Sequence, residues 1–168
     1  MKNKINPMQE IKIEKVVLSV GGVADNLEKG VKLLKLISGK TPCKTSSQKR
    51  IPSWGVRPGL HLGAVVTVRK EAIEILKKLL LAIENNLRKK QINENNFSFG
   101  IKEYLEIPGM EYQREIGIMG LDVTVMFKRN GRRVKLRKVK RNKIPRRQII
   151  SKEEIIKFME DNFQTNFR

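Results

Sequence analysis

The sequence predicts an α+β fold: a single domain whose mainly antiparallel β-sheet has helices packed on one face and an open second face. Short segments of alternating or β-branched residues, typical of strands, are interspersed with segments of helical periodicity. The order is strand, helix, two strands, helix, several strands, helix, without the regular alternation that favours a parallel sheet. A length of 168 residues with 39% hydrophobic residues suits one domain, over 1–168.

The first strand and helix are predicted before residue 40. Ile11 to Val20 is a run of apolar and β-branched residues closed by Gly21-Gly22, which predicts a strand followed by a turn. Asp25 to Ile37 predicts a surface helix, and Gly39 is placed to end it. Its buried stripe repeats at helical spacing and comprises Leu27, Val31, Leu34 and Ile37.

The central region predicts a strand, a loop and a second strand. Thr41 to Lys49 is expected to be extended, whereas Ile51 to Gly59 has two prolines, two glycines and no periodicity and is expected to be a loop. Leu60 to Arg69 alternates, which predicts a strand with one core face and one partly polar face. The core face would carry Leu62, Ala64, Val66 and Val68, and the other face His61, Gly63, Val65, Thr67 and Arg69.

A second amphipathic helix is predicted from Glu71 to Leu87, with a buried stripe that would comprise Ala72, Leu76, Leu79, Leu80, Ile83 and Leu87. Further strands are predicted at Phe97 to Leu105, Leu121 to Phe127 and Val134 to Val139. The last two are expected to form a hairpin through Arg129-Asn130-Gly131.

The last helix is predicted from a capping box. Ser151 is followed three residues later by Glu154, a spacing in which each side chain satisfies a backbone N–H of the first turn. The helix is expected to bury Ile155, Met159 and Phe163.

The positive charge is concentrated in two segments. No Asp or Glu occurs from Lys29 to Lys70 or from Val123 to Lys152, and these segments carry 23 of the 36 Lys and Arg residues. Residues 128–147 alone carry 12 bases, within a net charge of +19. A solvated surface kept charged for solubility is the alternative, but such clustering costs self-repulsion that a nucleic acid backbone relieves. The charge pattern therefore favours a polyanion-binding protein.

Enzymatic and metal-binding functions have little support. One cysteine, Cys43, and one histidine, His61, cannot form a disulfide or a Cys/His metal cluster, and neither has the neighbours of a catalytic pair. Cys43 is expected to be half-buried in a strand and His61 to lie on the open face. There is no phosphate-binding glycine loop, so no cofactor is expected. The opening MKNKINPMQEIKIEK lacks the apolar core of a signal peptide, and we expect a cytoplasmic protein.

Three features could bind nucleic acid. Thr67 and Arg69 would project a hydroxyl and a guanidinium from a rigid sheet, which suits the shallow groove of folded RNA. Trp54 could stack on a base or ribose while its basic neighbours hold phosphates, or it could instead pin its loop to the domain. These neighbours are Lys49, Arg50 and Arg57.

The third feature is the basic run KRNGRRVKLRKVKRNKIPRR, which alternates in part and is interpreted as a cationic hairpin plus arm. Arms of this type can become ordered on RNA. Its expected RNA-binding residues are Arg132, Arg133, Lys135, Arg137 and Lys138.

Four blocks of sequence resemble the L-five family of large-subunit ribosomal proteins over nearly the whole chain. They are KIEKVVLSVGG at 12–22, SGKTPCKT at 38–45, TSSQKRIPSWGVRPG leading into LGAVVTVR at 45–69, and NFSFGIKEYLEIPGMEYQREIGIMGLDVTV at 96–125. The opening NPMQEIKIEK and the basic block after Gly131 are more similar to the archaeal and eukaryotic branch, and most similar to the archaeal one. The family's N-terminal part would cover about 8–65 and its C-terminal part about 66–168.

The resemblance implies an antiparallel sheet whose open face binds 5S ribosomal RNA and docks it into the central protuberance of the large subunit. The RNA-facing positions carried over are Ser19, Thr45, Lys49, Thr67, Arg69 and Asp122. Ser19 stands where the family usually has Asn, and Val65 where it often has a cation. Asp122 would hold neighbouring donors, or accept a hydrogen bond from a base or 2′-hydroxyl, rather than meet phosphate.

The resemblance also implies further partners. The loop would reach toward P-site transfer RNA through Pro52, Ser53, Trp54, Gly55, Val56 and Arg57. Large-subunit ribosomal RNA, a neighbouring 5S-binding ribosomal protein and a protein of the small-subunit head would also contact the chain. An RNA-processing or RNA-modifying enzyme and a free RNA-binding regulator are the alternatives.

Overall fold

A computed structural model describes residues 6–168, and the first five residues, part of the opening segment used above, lie outside this description. The strands are β1 (Ile11–Gly21), β2 (Cys43–Ser46), β3 (His61–Val68), β4 (Asn86–Leu87), β5 (Ile92–Asn93), β6 (Asn96–Ile101), β7 (Leu121–Arg129) and β8 (Asn166–Phe167). The helices are α1 (Asp25–Ser38), α2 (Ala72–Ala82), α3 (Arg133–Leu136) and α4 (Lys152–Phe163). Single 3-10 turns lie at Pro52–Trp54, Lys89–Gln91, Tyr104–Glu106 and Arg146–Gln148.

Six strands form one sheet in the order β2-β3-β1-β7-β6-β5, and every neighbouring pair is antiparallel. A separate parallel pair joins β4 to β8. The main sheet takes strands from both ends of the sequence, since β1 lies between β3 and β7. The predicted single-domain α+β fold with a mainly antiparallel sheet is confirmed.

The core lies between one face of this sheet and the helices α1, α2 and α4. Alternate residues of the central strands are completely buried there, among them Val16, Leu18, Val68, Val123 and Val125. The packing of α1 is close at Gly30, where an added Cβ would lie 2.8 Å from a methyl carbon of Val20. The alternation of β3 is confirmed from Ala64 onward, with Ala64, Val66 and Val68 buried. It is wrong at Gly63, which is buried beside Thr45, and Leu62 is only half-buried.

The end of one helix was predicted correctly and the end of another was not. Helix α1 ends as expected, because Gly39 adopts a left-handed conformation and its N–H donates to the carbonyl of Lys35. Helix α2 ends at Ala82, five residues before the predicted Leu87. Glu84 and Asn85 both have positive φ angles and turn the chain, so Leu87 is buried in β4 rather than in the helix.

The predicted hairpin with a strand at Val134 to Val139 is wrong. Strand β7 already pairs with β1 on one edge and β6 on the other, so no edge remains for a strand that folds back from Gly131. The chain instead forms the short helix α3, after which residues 137–145 contain no strand or helix. The apolar residues Leu136 and Val139 of the predicted strand are exposed.

Other boundaries are shorter than predicted. Strand β6 ends at Ile101 rather than Leu105, because the chain turns there and buries Tyr104, whose N–H donates to the carbonyl of Met119. Strand β3 ends at Val68, which leaves Arg69 exposed just beyond it. At α4 the capping box of Ser151 and Glu154 is confirmed. Ile155 and Met159 are buried in the core, and Phe163 is partly buried against it.

Candidate nucleic-acid interface

The open face of the sheet is organised in rows of cross-strand neighbours. The longest row runs Cys43–Val65–Ser19–Asp122–Gly100, and the next runs Thr67–Val17–Thr124–Ser98. Ser19, Thr67 and Asp122, three positions predicted to face RNA, therefore lie within two adjacent rows. Every residue of these two rows is partly or fully exposed, in contrast to the buried positions that alternate with them. We call these two rows the open-face rows.

The open-face rows are nearly neutral. They carry hydroxyls at Ser19, Thr67, Thr124 and Ser98, apolar side chains between them, and one carboxylate at Asp122. Hydroxyls both donate and accept hydrogen bonds, so the rows can bind 2′-hydroxyls and base edges as well as phosphates. Their chemistry favours recognition by shape and hydrogen bonding rather than by charge.

Asp122 has room because its neighbour on β6 is a glycine. A Cβ on Gly100 would lie 3.2 Å from a carboxylate oxygen of Asp122. Asp122 is exposed and, within residues 6–168, no salt bridge to it is found. Ser19 and Val65, the two positions at which the chain departs from the family pattern, are direct cross-strand neighbours.

Cations flank the open-face rows at both ends of the strands. Strands β2 and β3 form a hairpin whose far end contains Lys49, Arg50 and Arg57, all exposed. At the opposite end lie Lys15 of β1 and Arg69, the residue after β3. The residues from 128 onward leave the sheet at this second end, because Arg129 pairs with Ile11 at the start of β1. The cations of the hairpin and the bases from residue 128 onward thus lie at opposite ends of one sheet.

The hairpin end has an ordered backbone. Ser47 exchanges hydrogen bonds with Leu60 and Gly59, and Ile51 forms an isolated bridge with Val56. Val56 is buried and its backbone bonds to Ile51 of the same loop, so this residue of the predicted tRNA-facing loop does not offer its side chain to a partner. Pro52, Ser53 and Gly55 are exposed.

Trp54 lies at the tip of this hairpin and is 78% exposed. Of the two alternatives for Trp54, pinning the loop to the domain does not occur in this structure, because the side chain is largely exposed. A large exposed aromatic flanked by exposed cations is free to stack on a base. Nearby, the hydroxyl of Thr45 donates to the carbonyl of Gly63 at 3.1 Å, so its remaining capacity is as an acceptor.

The basic segment, residues 128–147, begins within β7 and continues through α3. Four of its predicted RNA-binding residues have exposed side chains: Arg133, Lys135, Arg137 and Lys138. Arg132 differs, because it is half-buried and pairs with the carboxylate of Glu14 at the bulge of β1. Arg132 therefore holds the segment to the sheet and keeps only part of its guanidinium for another partner.

Arg129 holds the far end of the basic segment. Its guanidinium lies 2.5 Å from a carboxylate oxygen of Glu154 and donates to the carbonyl of Arg147 at 2.7 Å. Burial alone would raise the pKa of Glu154. The N–H of Ser151 and the charge and hydrogen bond of Arg129 outweigh that effect, so the pKa lies below its ordinary value. We call this arrangement the Arg129 clamp.

Several residues of the interface were not predicted as contacts. Thr124 and Ser98 share a row with Thr67, and Lys15 lies at the same end as Arg69. Thr124 could have been predicted from the alternation of Leu121 to Phe127. This pattern places Thr124 on the other face of the strand from the buried Val123 and Val125. No local pattern could have placed Lys15, because its position depends on the bulge after Ile13.

The structure separates the two residues considered for nucleophilic catalysis. Cys43 is opposite Val65 and His61 is opposite Ser46, so the two positions lie four residues, about 13 Å, apart along the hairpin. Cys43 is exposed rather than half-buried, because β2 is an edge strand. Within residues 6–168, no three His, Cys, Asp or Glu side chains are grouped as metal ligands. None of the helices in this range has the length and apolar character needed to cross a bilayer.

Comparisons with known proteins cover both ends of the interface. A family profile described as "Ribosomal protein L5" matches residues 6–57, and a second profile, which describes the C-terminal part of the same ribosomal family, matches residues 61–158. The first covers β1, α1, β2 and most of the hairpin end, and the second covers strands β3 to β7, the basic segment and the first part of α4.

Three curated relatives have the name "Large ribosomal subunit protein uL5". The chain is 43% identical to the protein of Nanoarchaeum equitans over 93% of its own length and 95% of the relative's. It is 40% identical to that of Pyrobaculum aerophilum over 94% and 90%, and 38% identical to that of Methanobrevibacter smithii over 97% and 98%. The archaeal character expected from the resemblance is confirmed by these relatives. By both kinds of match, the chain belongs to the ribosomal protein L5 family.

Proposed function

We propose that the protein is a structural constituent of the large ribosomal subunit and that it binds 5S ribosomal RNA and docks it into the central protuberance. The observation that carries this proposal is the match to large-subunit proteins over nearly the full length of both chains. The function is non-covalent, so no reaction is assigned to it. Its place of action is the cytoplasmic ribosome.

The open-face rows are the proposed seat for 5S ribosomal RNA. Ser19, Thr67 and Asp122 offer acceptors and donors from a rigid sheet, while Thr45, Lys49, Arg50 and Arg69 lie around its borders. A folded RNA placed along the strands would meet hydroxyls in the middle and cations at both ends. Such contacts distinguish an RNA surface by its 2′-hydroxyls and fix its register by its phosphates.

The two ends of the sheet are assigned to other partners. We place P-site transfer RNA at the hairpin tip, where Trp54 offers a stacking surface and Arg57 an exposed cation. The exposed cations of the basic segment contact large-subunit ribosomal RNA in this proposal. A neighbouring 5S-binding protein and a protein of the small-subunit head are the further expected contacts.

Co-sedimentation distinguishes this function from the alternatives. The protein is expected with large subunits at moderate salt, and removal of 5S ribosomal RNA should release it. An RNA-binding regulator would remain in the free fraction, and an RNA-modifying enzyme would alter its RNA. Either result would reject the proposed function.

Replacement of Arg69 or Lys49 by alanine tests the borders of the seat. Each substitution should weaken binding to 5S ribosomal RNA by about 1 to 3 kcal/mol, because each removes one charged hydrogen bond in a partly desolvated site. A gel-shift titration with transfer RNA and an unrelated RNA as competitors measures the effect. Lys78→Ala on α2, which changes an exposed cation on the helical side of the sheet, is the matched control. Unchanged affinity in both test variants would remove the sheet face from the site.

A further inference from the structure

A cationic pocket lies where the basic segment returns to the end of β7. Its cavity is about 320 Å³, within the usual range of small ligand sites. Ten residues line it, among them Asn95, Lys128, Arg129, Arg132, Lys135 and Lys143. Five of the ten are Lys or Arg and none is acidic. A concave site with this lining is suited to an anion.

Three of the five charges are unneutralised. Glu154 pairs with Arg129 and Glu14 with Arg132, both from outside the lining. Within residues 6–168, no salt bridge is found for Lys128, Lys135 or Lys143. The pocket therefore keeps about three positive charges within a small concave volume, an arrangement that repels itself until an anion enters.

One donor in the lining is buried and unused. The Nε atom of Arg129 is inaccessible to solvent and, among the described residues, has no hydrogen-bond acceptor, although the other two nitrogens of this guanidinium are bonded to Glu154 and Arg147. A buried guanidinium N–H without an acceptor is costly. An anion in the pocket would lie close to this guanidinium without bonding to its Nε atom, because that atom has no solvent-accessible surface.

The pocket walls are fixed before any ligand binds. The side-chain oxygen of Asn95 accepts from the N–H of Ile150 at 2.9 Å, and the carbonyl of Asn95 accepts from the N–H of Phe127 at 2.8 Å. Together with the Arg129 clamp, these bonds hold residues 147–150 against the end of the sheet. Lysines on a fixed frame lose less freedom on binding than lysines on a free arm.

We propose that this pocket binds one phosphate group of a polynucleotide backbone, at a place separate from the open face of the sheet. The inference rests on the proposed RNA-binding function and adds a specific contact to it. Phosphate presents several strong acceptor oxygens, which match the three lysines of the lining that have no salt bridge. The pocket would hold one phosphate of the RNA at a fixed point. The rest of the basic segment, in contrast, attracts the RNA backbone without fixing its position.

The Nε–H signal of Arg129 in the full-length, ¹⁵N-labelled protein tests the assignment directly. Titration with a short RNA oligonucleotide should shift this signal, and a methylphosphonate oligonucleotide, whose backbone is uncharged, should not. Arg129→Lys identifies the signal by its loss. Equal responses to both oligonucleotides, or no response, would reject the proposal. A response to inorganic phosphate without one to the oligonucleotide would also reject it and leave a free-ion site.

Lys143→Gln and Lys140→Gln form the matched pair for affinity. Both positions are exposed and lie in the same basic segment, but only Lys143 lines the pocket. Binding of large-subunit ribosomal RNA should weaken about tenfold in K143Q and less than about threefold in K140Q. Equal losses would reject the pocket while the proposed function stands. Absent 5S binding by the unaltered protein, with the oligonucleotide response intact, would reject the function and support the pocket.

Discussion

The open-face rows and the basic segment are two surfaces of one sheet with opposite chemistry. The open-face rows carry four hydroxyls, one carboxylate and no Lys or Arg, on five adjacent strands of the main sheet. The basic segment has 12 bases in residues 128–147 and, beyond α3, no strand or helix through residue 145. A rigid neutral surface selects an RNA shape, whereas a cationic segment supplies attraction that depends little on sequence. The comparison indicates that the specificity for an RNA shape and most of the affinity for RNA come from different surfaces of this molecule.

The largest expected effect on RNA affinity comes from removing charge from the basic segment. Simultaneous replacement of Arg133, Lys135, Arg137 and Lys138 by glutamine should weaken RNA binding roughly 100-fold near 0.1 M salt. The slope of log affinity against log salt should fall by about three units, because each lost phosphate contact contributes about 0.7 to 0.9. Binding measured across a salt series gives both quantities.

A quadruple variant on the helical side is the control for this charge experiment. Glutamine at Lys77, Lys78, Lys89 and Lys90 removes the same charge from exposed positions outside the basic segment and the open face. Its affinity should change less than about tenfold, and its slope should be nearly unchanged. If both quadruple variants lose affinity equally, net charge alone explains binding and the comparison between the two surfaces fails.

The second-largest expected effect on RNA affinity comes from removing hydroxyls from the open-face rows. Thr67→Val combined with Thr124→Val keeps the side-chain shape and strand preference but removes two hydroxyls from one row. Affinity for 5S ribosomal RNA should fall about tenfold, at roughly 0.5 to 1.5 kcal/mol for each hydrogen bond, with an unchanged salt slope. Discrimination against unrelated RNA should fall in parallel.

Thr41→Val is the matched control for the hydroxyl experiment, since Thr41 is exposed and lies outside the strands. Its affinity for 5S ribosomal RNA should equal that of the unaltered protein. A salt slope that falls in the double variant would mean that these hydroxyls act through nearby phosphate contacts. The separation of shape from charge would then be incorrect.

The same two regions explain how far sequence could predict the structure. Alternation in Leu60 to Arg69 placed Thr67 on the open face, and the alternation of β7 contains the same information for Thr124. Side-chain direction in a half-buried strand follows from local periodicity, so it can be inferred without knowledge of the neighbours. The positions of Ser19 and Asp122 came from the family resemblance, and their adjacency required the register.

The basic segment could not be predicted in this way. Its partial alternation at Val134, Leu136 and Lys138 suggested a strand, but strand formation depends on a free edge, and both edges of β7 are occupied by distant parts of the chain. The return of Lys143 to the end of β7 likewise depends on contacts across many residues, including the bond from Ile150 to Asn95. Long-range pairing therefore set the limit on sequence inference.

The smallest expected effect concerns the Arg129 clamp and its dependence on pH. Glu154→Gln should lower the free energy of unfolding by about 1 kcal/mol at pH 7, because it leaves Arg129 without its carboxylate, and the exposed part of Glu154 limits the loss. The folded-state pKa of Glu154 is lowered, so its stabilisation is fully present above the ordinary pKa that this carboxyl has in the unfolded chain. It is lost as the pH falls through the lower folded value.

Hydrogen exchange and thermal unfolding between pH 7 and pH 3 measure the clamp. In the unaltered protein, amides of residues 147–150 should lose protection at acid pH before those of β1 and β3, because the Arg129–Glu154 pair helps to hold this segment. The stability difference from Glu154→Gln should shrink over the same range. Glu153→Gln, one residue away in the first turn of α4, is the control. Equal early exchange in β1 would mean that the segment and the open face unfold as one unit, and the two surfaces would not then be mechanically separate.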